Sequence, residues 1–228
     1  MAQGKPLLQD WGNGLDLRAP APWRVVGLPP GKAPLSALEV VRHQGEPVLR
    51  LRTHASYGTL HHALPSGTPT APGLRLVWQW KLEQALAQAN LLHKDGDDAA
   101  LKVCALYDLP LDAIPFGERT LLRLARQVTG EYLPGATVCY VWDTRLPEDT
   151  VLPNAYSRRV RWLVLDGHNA PLGSWRAHTR DLHADFLRAF GEESSSVPPL
   201  LAIVVGADAD NTGGQSLGYL RPLQWQQP

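Results

Sequence analysis

The sequence predicts a mainly β protein, an antiparallel β-sandwich or jelly roll, on three observations. Short apolar segments rich in β-branched residues recur along the 228 residues, bounded by turns drawn from 20 Gly and 20 Pro. Only two stretches have helical spacing. Strands and helices do not alternate as βαβ units would, which leaves antiparallel pairing in two layers as the way to bury one face of each strand. A chain of this length buries about 70% of its unfolded surface in one core. One domain over residues 1–228 is therefore expected, opened by a loop-rich segment at 1–35.

Within that opening segment Pro20, Pro22, Pro29, Pro30 and Pro34 remove ladder donors, so a piece such as 23–27 can form only a short or edge strand. Residues 38–43 and 47–53, separated by Gln44-Gly45-Glu46, have the pattern of a hairpin. In the second of these Val48, Leu49 and Leu51 supply the apolar side, and Arg50 and Arg52 alternate outward. Residues 56–64 form a further strand candidate, closed by a loop at 65–73. The clearest period-2 signal follows at 74–82, where Leu74, Leu76, Trp78 and Trp80 share one face and Arg75, Val77, Gln79 and Lys81 the other.

Residues 99–106 are apolar apart from Lys102, as a central strand requires. The spacing of Leu121, Leu122, Leu124, Ala125 and Val128 predicts a helix over 117–128, with Gly130 just past its end. Residues 137–142, 159–165 and 200–205 read as strands, 180–190 as a second short helix stopped by Gly191, and 217–225 as the last strand.

Several function classes are excluded at this level. Lys+Arg and Asp+Glu both number 22, so no global field draws the protein to a phosphate backbone, and no nucleic-acid partner is expected. No apolar run is long enough to span a bilayer as a helix. The N-terminus lacks the basic and apolar regions of a secretory signal, which leaves a cytosolic protein or one whose signal has been removed. Cys104 and Cys139 lie in strand-like segments, as free buried thiols or as a cross-strand disulfide, and two cysteines without CxxC exclude a zinc ribbon. GxSxG and HExxH are absent. The run from Gly27 to Lys32 imitates a phosphate loop, but its glycine spacing is one short and Ala33 replaces the metal-binding hydroxyl. His61, His62, His178 and His183 have no chelating spacing and read as surface histidines.

The strongest polar cluster is Asp208-Ala209-Asp210-Asn211-Thr212-Gly213-Gly214, directly after an apolar strand. Hard oxygens gathered over a tight loop suit calcium, with Asp208, Asp210 and Asn211 as ligands. Tyr219 stands where an EF-hand carries its twelfth-position Glu, so this is no EF-hand. Asx-turns capping their own backbone account for the same residues without an ion. Asp97 and Asp98 form a second acidic turn at the mouth of the strand over 99–106. If that strand neighbours the one over 200–205, the two sets of acids converge, and they must then hold a cation, share a proton or pair with Arg158, Arg159 or Arg161.

The chain resembles the DUF3047 family of bacterial proteins of unknown function. The resemblance rests on Trp78-Gln79-Trp80-Lys81, the stretch from Lys94 to Ala100, Val138-Cys139-Tyr140-Val141-Trp142, the stretch from Asn154 to Arg161, Arg180-Asp181, the stretch from Asp185 to Glu192, and the Asp208 turn. It implies an exported protein, periplasmic or secreted, with a sandwich similar to galactose-binding-like and other carbohydrate-binding modules. No activity comes with the family, so function has to be argued from the site. The expected function is non-catalytic binding of a glycan or another polar small ligand. Trp80, Tyr140 and Trp142 would offer flat platforms, Asp97 and Asp98 would accept hydroxyl hydrogen bonds, and Lys81, Lys94 and Arg159 would donate. The alternative is a glycoside hydrolase or lyase using two of the acids across a cleft.

Overall fold

The computed structural model describes residues 23–129 and 132–226. Two sheets face each other. The first has seven strands in the spatial order β1 (Trp23–Val26), β4 (Tyr57–Thr68), β11 (Leu200–Asp208), β6 (Lys102–Tyr107), β7 (Ala136–Trp142), β9 (Val160–Asp166) and β8 (Val151–Pro153). The second runs β10 (Arg176–Asp181), β5 (Arg75–Gln84), β12 (Gln215–Leu220), β3 (Glu46–His54) and β2 (Ala37–His43), with β13 (Gln224–Gln226) also paired to β5. Pairing is antiparallel except between β7 and β9, which run parallel. The mainly β sandwich expected from the sequence is the observed architecture.

Local chemistry sets these elements. The hairpin between β2 and β3 turns on Gln44 and Gly45, both at positive φ (53° and 86°), which is the twist a two-residue hairpin loop needs. Along β5 the side chains of Leu76, Trp78 and Trp80 fall on one face and are fully buried against the first sheet. From the other side Val103, Tyr107, Val138, Tyr140, Leu163 and Ile203 complete one core, into which helix α2 (Leu182–Phe190) inserts Phe186 and Phe190. Asp181 caps α2, its side chain accepting from the backbone N–H groups of His183 and Ala184. A smaller apolar cluster lies on the opposite, outer face of the first sheet, with Cys104, Cys139, Val141, Trp162, Val164 and Val204 among its members. Strands β6, β7 and β9 are thus covered on both faces, which is why they read as continuous apolar runs.

Several expectations are corrected. Cys104 and Cys139 stand opposite each other on β6 and β7 and form a disulfide, so the free-thiol alternative falls. Strand β4 continues through Pro65 to Thr68, where a loop was expected. The segment expected to open the second helix is instead the end of β10, a polar strand hydrogen-bonded to β5. Helix α1 (Phe116–Thr129) exposes Leu121 and Leu124. It docks through buried Leu122 and through polar bonds from Glu118 to Arg159, Arg119 to the Ile114 carbonyl and Arg126 to the Leu133 carbonyl. Gly130 lies outside the described residues, as does the opening segment before Trp23. No helix among the described residues is long and apolar enough to cross a membrane.

Candidate ligand-binding cleft

Strands β6 and β11 are neighbours in antiparallel register, and this adjacency brings the two acidic turns together. Asp208 ends β11, and its Oδ1 accepts from the backbone N–H of Ala99 (3.1 Å) and from Lys102 Nζ (2.8 Å). Gly206 lies opposite Lys102 in the register of β11, so no β11 side chain stands across from that ammonium. Asp98 is saturated: its Oδ1 accepts from the backbone and side-chain N–H groups of Asn211, and its Oδ2 from the backbone N–H and hydroxyl of Thr212. One oxygen from each of Asp98, Asp208 and Asp210 lies within 4.8 Å of the others.

Above this cluster the outer face of the seven-stranded sheet forms a cleft of about 590 Å³. Its floor is the Cys104–Cys139 disulfide with Val204 and Trp162, and its acidic wall carries Asp97, Asp208, Asp210, Lys102 and Asn154. Asp97 is only 5% exposed. Its Oδ2 accepts from Asn154 Nδ2 (2.5 Å), while its Oδ1 is buried without a hydrogen-bond partner. Burial pushes Asp97 up to about 6, against the pull of Asn154 and Lys102 and with the repulsion of Asp208; the Trp162 indole N–H also draws on the carboxyl. That indole is 4% exposed and completes no hydrogen bond of its own. Burial likewise raises Asp208 and Asp210, in both cases with repulsion from Asp98. Burial pulls Lys102 down most strongly of any single cause, but the charge and hydrogen bond of Asp208 together with Tyr57 and Asp97 outweigh it and hold the ammonium above its usual value.

At the rim stands Tyr156, 58% exposed. Its hydroxyl donates towards Asn211 Oδ1 (2.7 Å) and the Lys94 carbonyl (2.9 Å), and Lys94 Nζ lies 5.4 Å from its ring centroid. The ring is pinned by its polar end while its face meets solvent. Tyr57, on β4, lines the cleft from the other side, with Lys102 Nζ 4.7 Å from its ring centroid.

The family model described as a protein of unknown function, DUF3047, matches residues 21–224. The chain belongs to the DUF3047 family. No curated protein matches it in sequence. Among solved structures this DUF3047 chain is similar to the xyloglucanase domain of NopAA, a type three effector from Sinorhizobium fredii, in complex with cellobiose (7% identity, TM-score 0.48, 90% of this chain and 93% of that one). It is also similar to the catalytic domain of Humicola grisea Cel12A in complex with a soaked thio cellotetraose (8%, 0.47, 90% and 92%). A third similar structure is Trichoderma harzianum endoglucanase 3 from family GH12 (9%, 0.45, 92% and 99%). At these identities the similarity concerns chain path alone.

The structure brings together Lys94, Asp97, Asp98, Asp208, Asp210 and Asn211, and it removes the other site candidates from the cleft. Trp80 and Tyr140 are 0% exposed and Trp142 is 3% exposed. All three point into the core between the sheets, because their positions alternate with the outward Cys139 and Val141 on β7 and with Lys81 on β5. They cannot serve as platforms. Lys81 lies on the outer face of the other sheet, paired with Glu83 (2.5 Å) and facing the Trp175 and Tyr219 rings. Arg159 is committed to Glu193 (2.7 Å) and Glu118 (3.4 Å), and Arg161 to Glu193 (3.0 Å), so neither arginine answers the acidic turns. His178 is no surface residue: its Nε2 meets buried Asp166 at 2.7 Å. Sequence reasoning assigned no role to Asn154, Tyr156 and Trp162. The signal was available for two of them, since Asn154 and Tyr156 sit in one of the motifs that carry the family resemblance, on a loop with no core to fill.

Proposed function

We propose that the cleft binds a hydroxylated small ligand, a glycan or the end of one, in a periplasmic or secreted protein. One observation carries the reading. A buried acceptor, Asp97 Oδ1, and a buried donor, Trp162 Nε1, line the same cleft and complete no hydrogen bond, beside the exposed and pinned Tyr156 ring. Buried polar groups are almost always satisfied, and the indole's pull on the Asp97 carboxyl falls short of a complete bond, so both groups can take a better partner that enters the cleft. A sugar supplies hydroxyls for both and a C–H face for the ring. The cross-strand disulfide supports an oxidising compartment.

Lys102 already stands against Asp208, and Asn211 Oδ1 already accepts from Tyr156. We infer that Lys102 supplies the positive charge for which calcium was expected. Millimolar calcium is then expected to leave the melting temperature unchanged, and a clear rise would return the ion to Asp98, Asp208 and Asp210.

The hydrolase alternative is favoured by one fact, the elevation of Asp97 to about 6, which suits a general acid. Against it, Asp98 and Asp208 are held by their donors, and Asp210, with an oxygen within 4.8 Å of both, belongs to the same acidic wall rather than standing across the cleft. A reducing-end assay on mixed polysaccharides separates the readings: sugar release abolished by Asp97→Asn would establish catalysis. For binding, a glycan array followed by calorimetry is expected to find a ligand whose affinity falls about tenfold or more in Tyr156→Ala while the fold persists. Absence of binding to every glycan on the array would overturn the proposal.

A further inference from the structure

The charge on the wall of the cleft specifies the ligand more narrowly. We infer that the preferred ligand carries an ammonium group beside its hydroxyls, as an amino sugar does, and that the ammonium is received by the free oxygens of Asp97 and Asp210. This rests on the binding role proposed above and deepens it.

Three carboxylates, Asp97, Asp208 and Asp210, line this wall, with Asp98 buried behind them, around one buried ammonium, that of Lys102. Lys32 and Lys94 are exposed, where water and salt screen them. Lys102 donates to Asp208, and Asp98 is satisfied by Asn211 and Thr212. The acceptors with capacity left are therefore Asp97 Oδ1 and Asp210 Oδ1, both buried and completing no hydrogen bond, although the Trp162 indole draws on the first carboxyl and the Asp210 backbone N–H on the second. Asp97 is more than nine-tenths buried and lines the cleft, so the unmet oxygen is not an incidental surface acid. Burial is the main reason that Asp97, Asp208 and Asp210 are raised, and repulsion from a neighbouring carboxylate adds to it at each. A neutral hydroxyl would satisfy one such oxygen by a single hydrogen bond. An ammonium has three donors and also offsets the charge, and charge-assisted bonds are roughly twice as strong as neutral ones. The Trp162 ring beside the acids favours a cation further, whereas the Tyr156 ring already has the Lys94 ammonium 5.4 Å from its centroid.

The test compares three tetramers on one β-1,4-linked glucose skeleton: cellotetraose, its 2-amino counterpart built from glucosamine, and the N-acetylated form. Calorimetry at a pH of about 6 keeps the amine largely protonated while part of the Asp97 population is ionised. The amine tetramer is expected to bind about tenfold more tightly than cellotetraose, with an advantage that shrinks in high salt. Asp97→Asn is expected to remove most of that advantage, read as the ratio of the amine and cellotetraose affinities within the variant, whatever the fall in affinity common to both. Should Asp97→Asn fail to fold, Asp210→Asn makes the same comparison. Equal or tighter binding of cellotetraose overturns the inference and leaves the glycan-binding role standing. Failure of all three tetramers overturns the inference, and an empty glycan array then removes the role as well.

Discussion

Two buried carboxylates on opposite faces of the seven-stranded sheet behave in opposite ways. Asp166, at the end of β9, is wholly buried yet held below the usual carboxylate range. Burial pushes it up, but His178 Nε2 (2.7 Å), Trp80 Nε1 (2.5 Å) and Arg176 Nε (2.7 Å) more than reverse that push. Asp97 is slightly less buried, has one complete hydrogen bond and rises to about 6. At similar depth, the three donors around Asp166 outweigh burial, whereas those at Asp97 do not. Asp166 fastens β10 to the core and has nothing left to offer. Asp97 retains an unused oxygen on the wall of a cleft.

The comparison can be broken most forcefully at Asp166. Asp166→Ala leaves a guanidinium, an imidazole and an indole N–H facing a vacancy, and removing one partner of a buried ionic group destabilises by about 3–5 kcal/mol. Thermal unfolding is expected to show that loss; a variant as stable as the parent would refute the structural role. Next in size is the disulfide beneath the cleft. Replacing Cys104 and Cys139 together by Ser is expected to lower stability by about 2–4 kcal/mol, read from denaturant midpoints.

The smallest expected effect is at Asp97 and has the opposite sign. Because its folded value lies above the ordinary carboxylate range, the folded chain holds a proton that the unfolded chain has released, so stability falls as pH rises towards about 6. Asp97→Asn is then expected to raise the melting temperature by a few degrees at neutral pH, on the order of 1 kcal/mol, with no gain near pH 4. Asp166 contributes the reverse: its stabilisation is present above the usual carboxylate range and is lost as pH falls through its lowered value. A pH series of melting curves on the two single variants resolves both signs.

Much of the fold was legible because the strands of the second sheet alternate. Trp78 and Trp80 declare their face by spacing alone, and the hairpin at Gln44 and Gly45 declares its turn. Strand β10 was not legible, since Arg176, His178 and Arg180 look like solvent-facing residues until Asp166 and Asp185 are placed opposite them. The convergence of the acidic turns followed from supposing that two apolar strands are neighbours, and β6 and β11 are. The ring platforms failed for a physical reason. On β7, where both faces are covered, no polar alternation tells Tyr140 and Trp142 on the core side from Cys139 and Val141 on the cleft side. Tyr140 instead donates its buried hydroxyl to Asp185. The exposed ring that remains, Tyr156, comes from a loop without period, and only its polar contacts fix where it stands.

The account turns on Asp97 being the under-partnered acid of the cleft, and carbon-detected NMR of the side-chain carboxyls across a pH titration reads this without any ligand. Asp97 is expected to titrate near 6 while Asp166 stays below the ordinary carboxylate range. An Asp97 midpoint at or below the ordinary aspartate value of about 4 would contradict the account, because it would mean that the oxygen assigned to a ligand already has a partner.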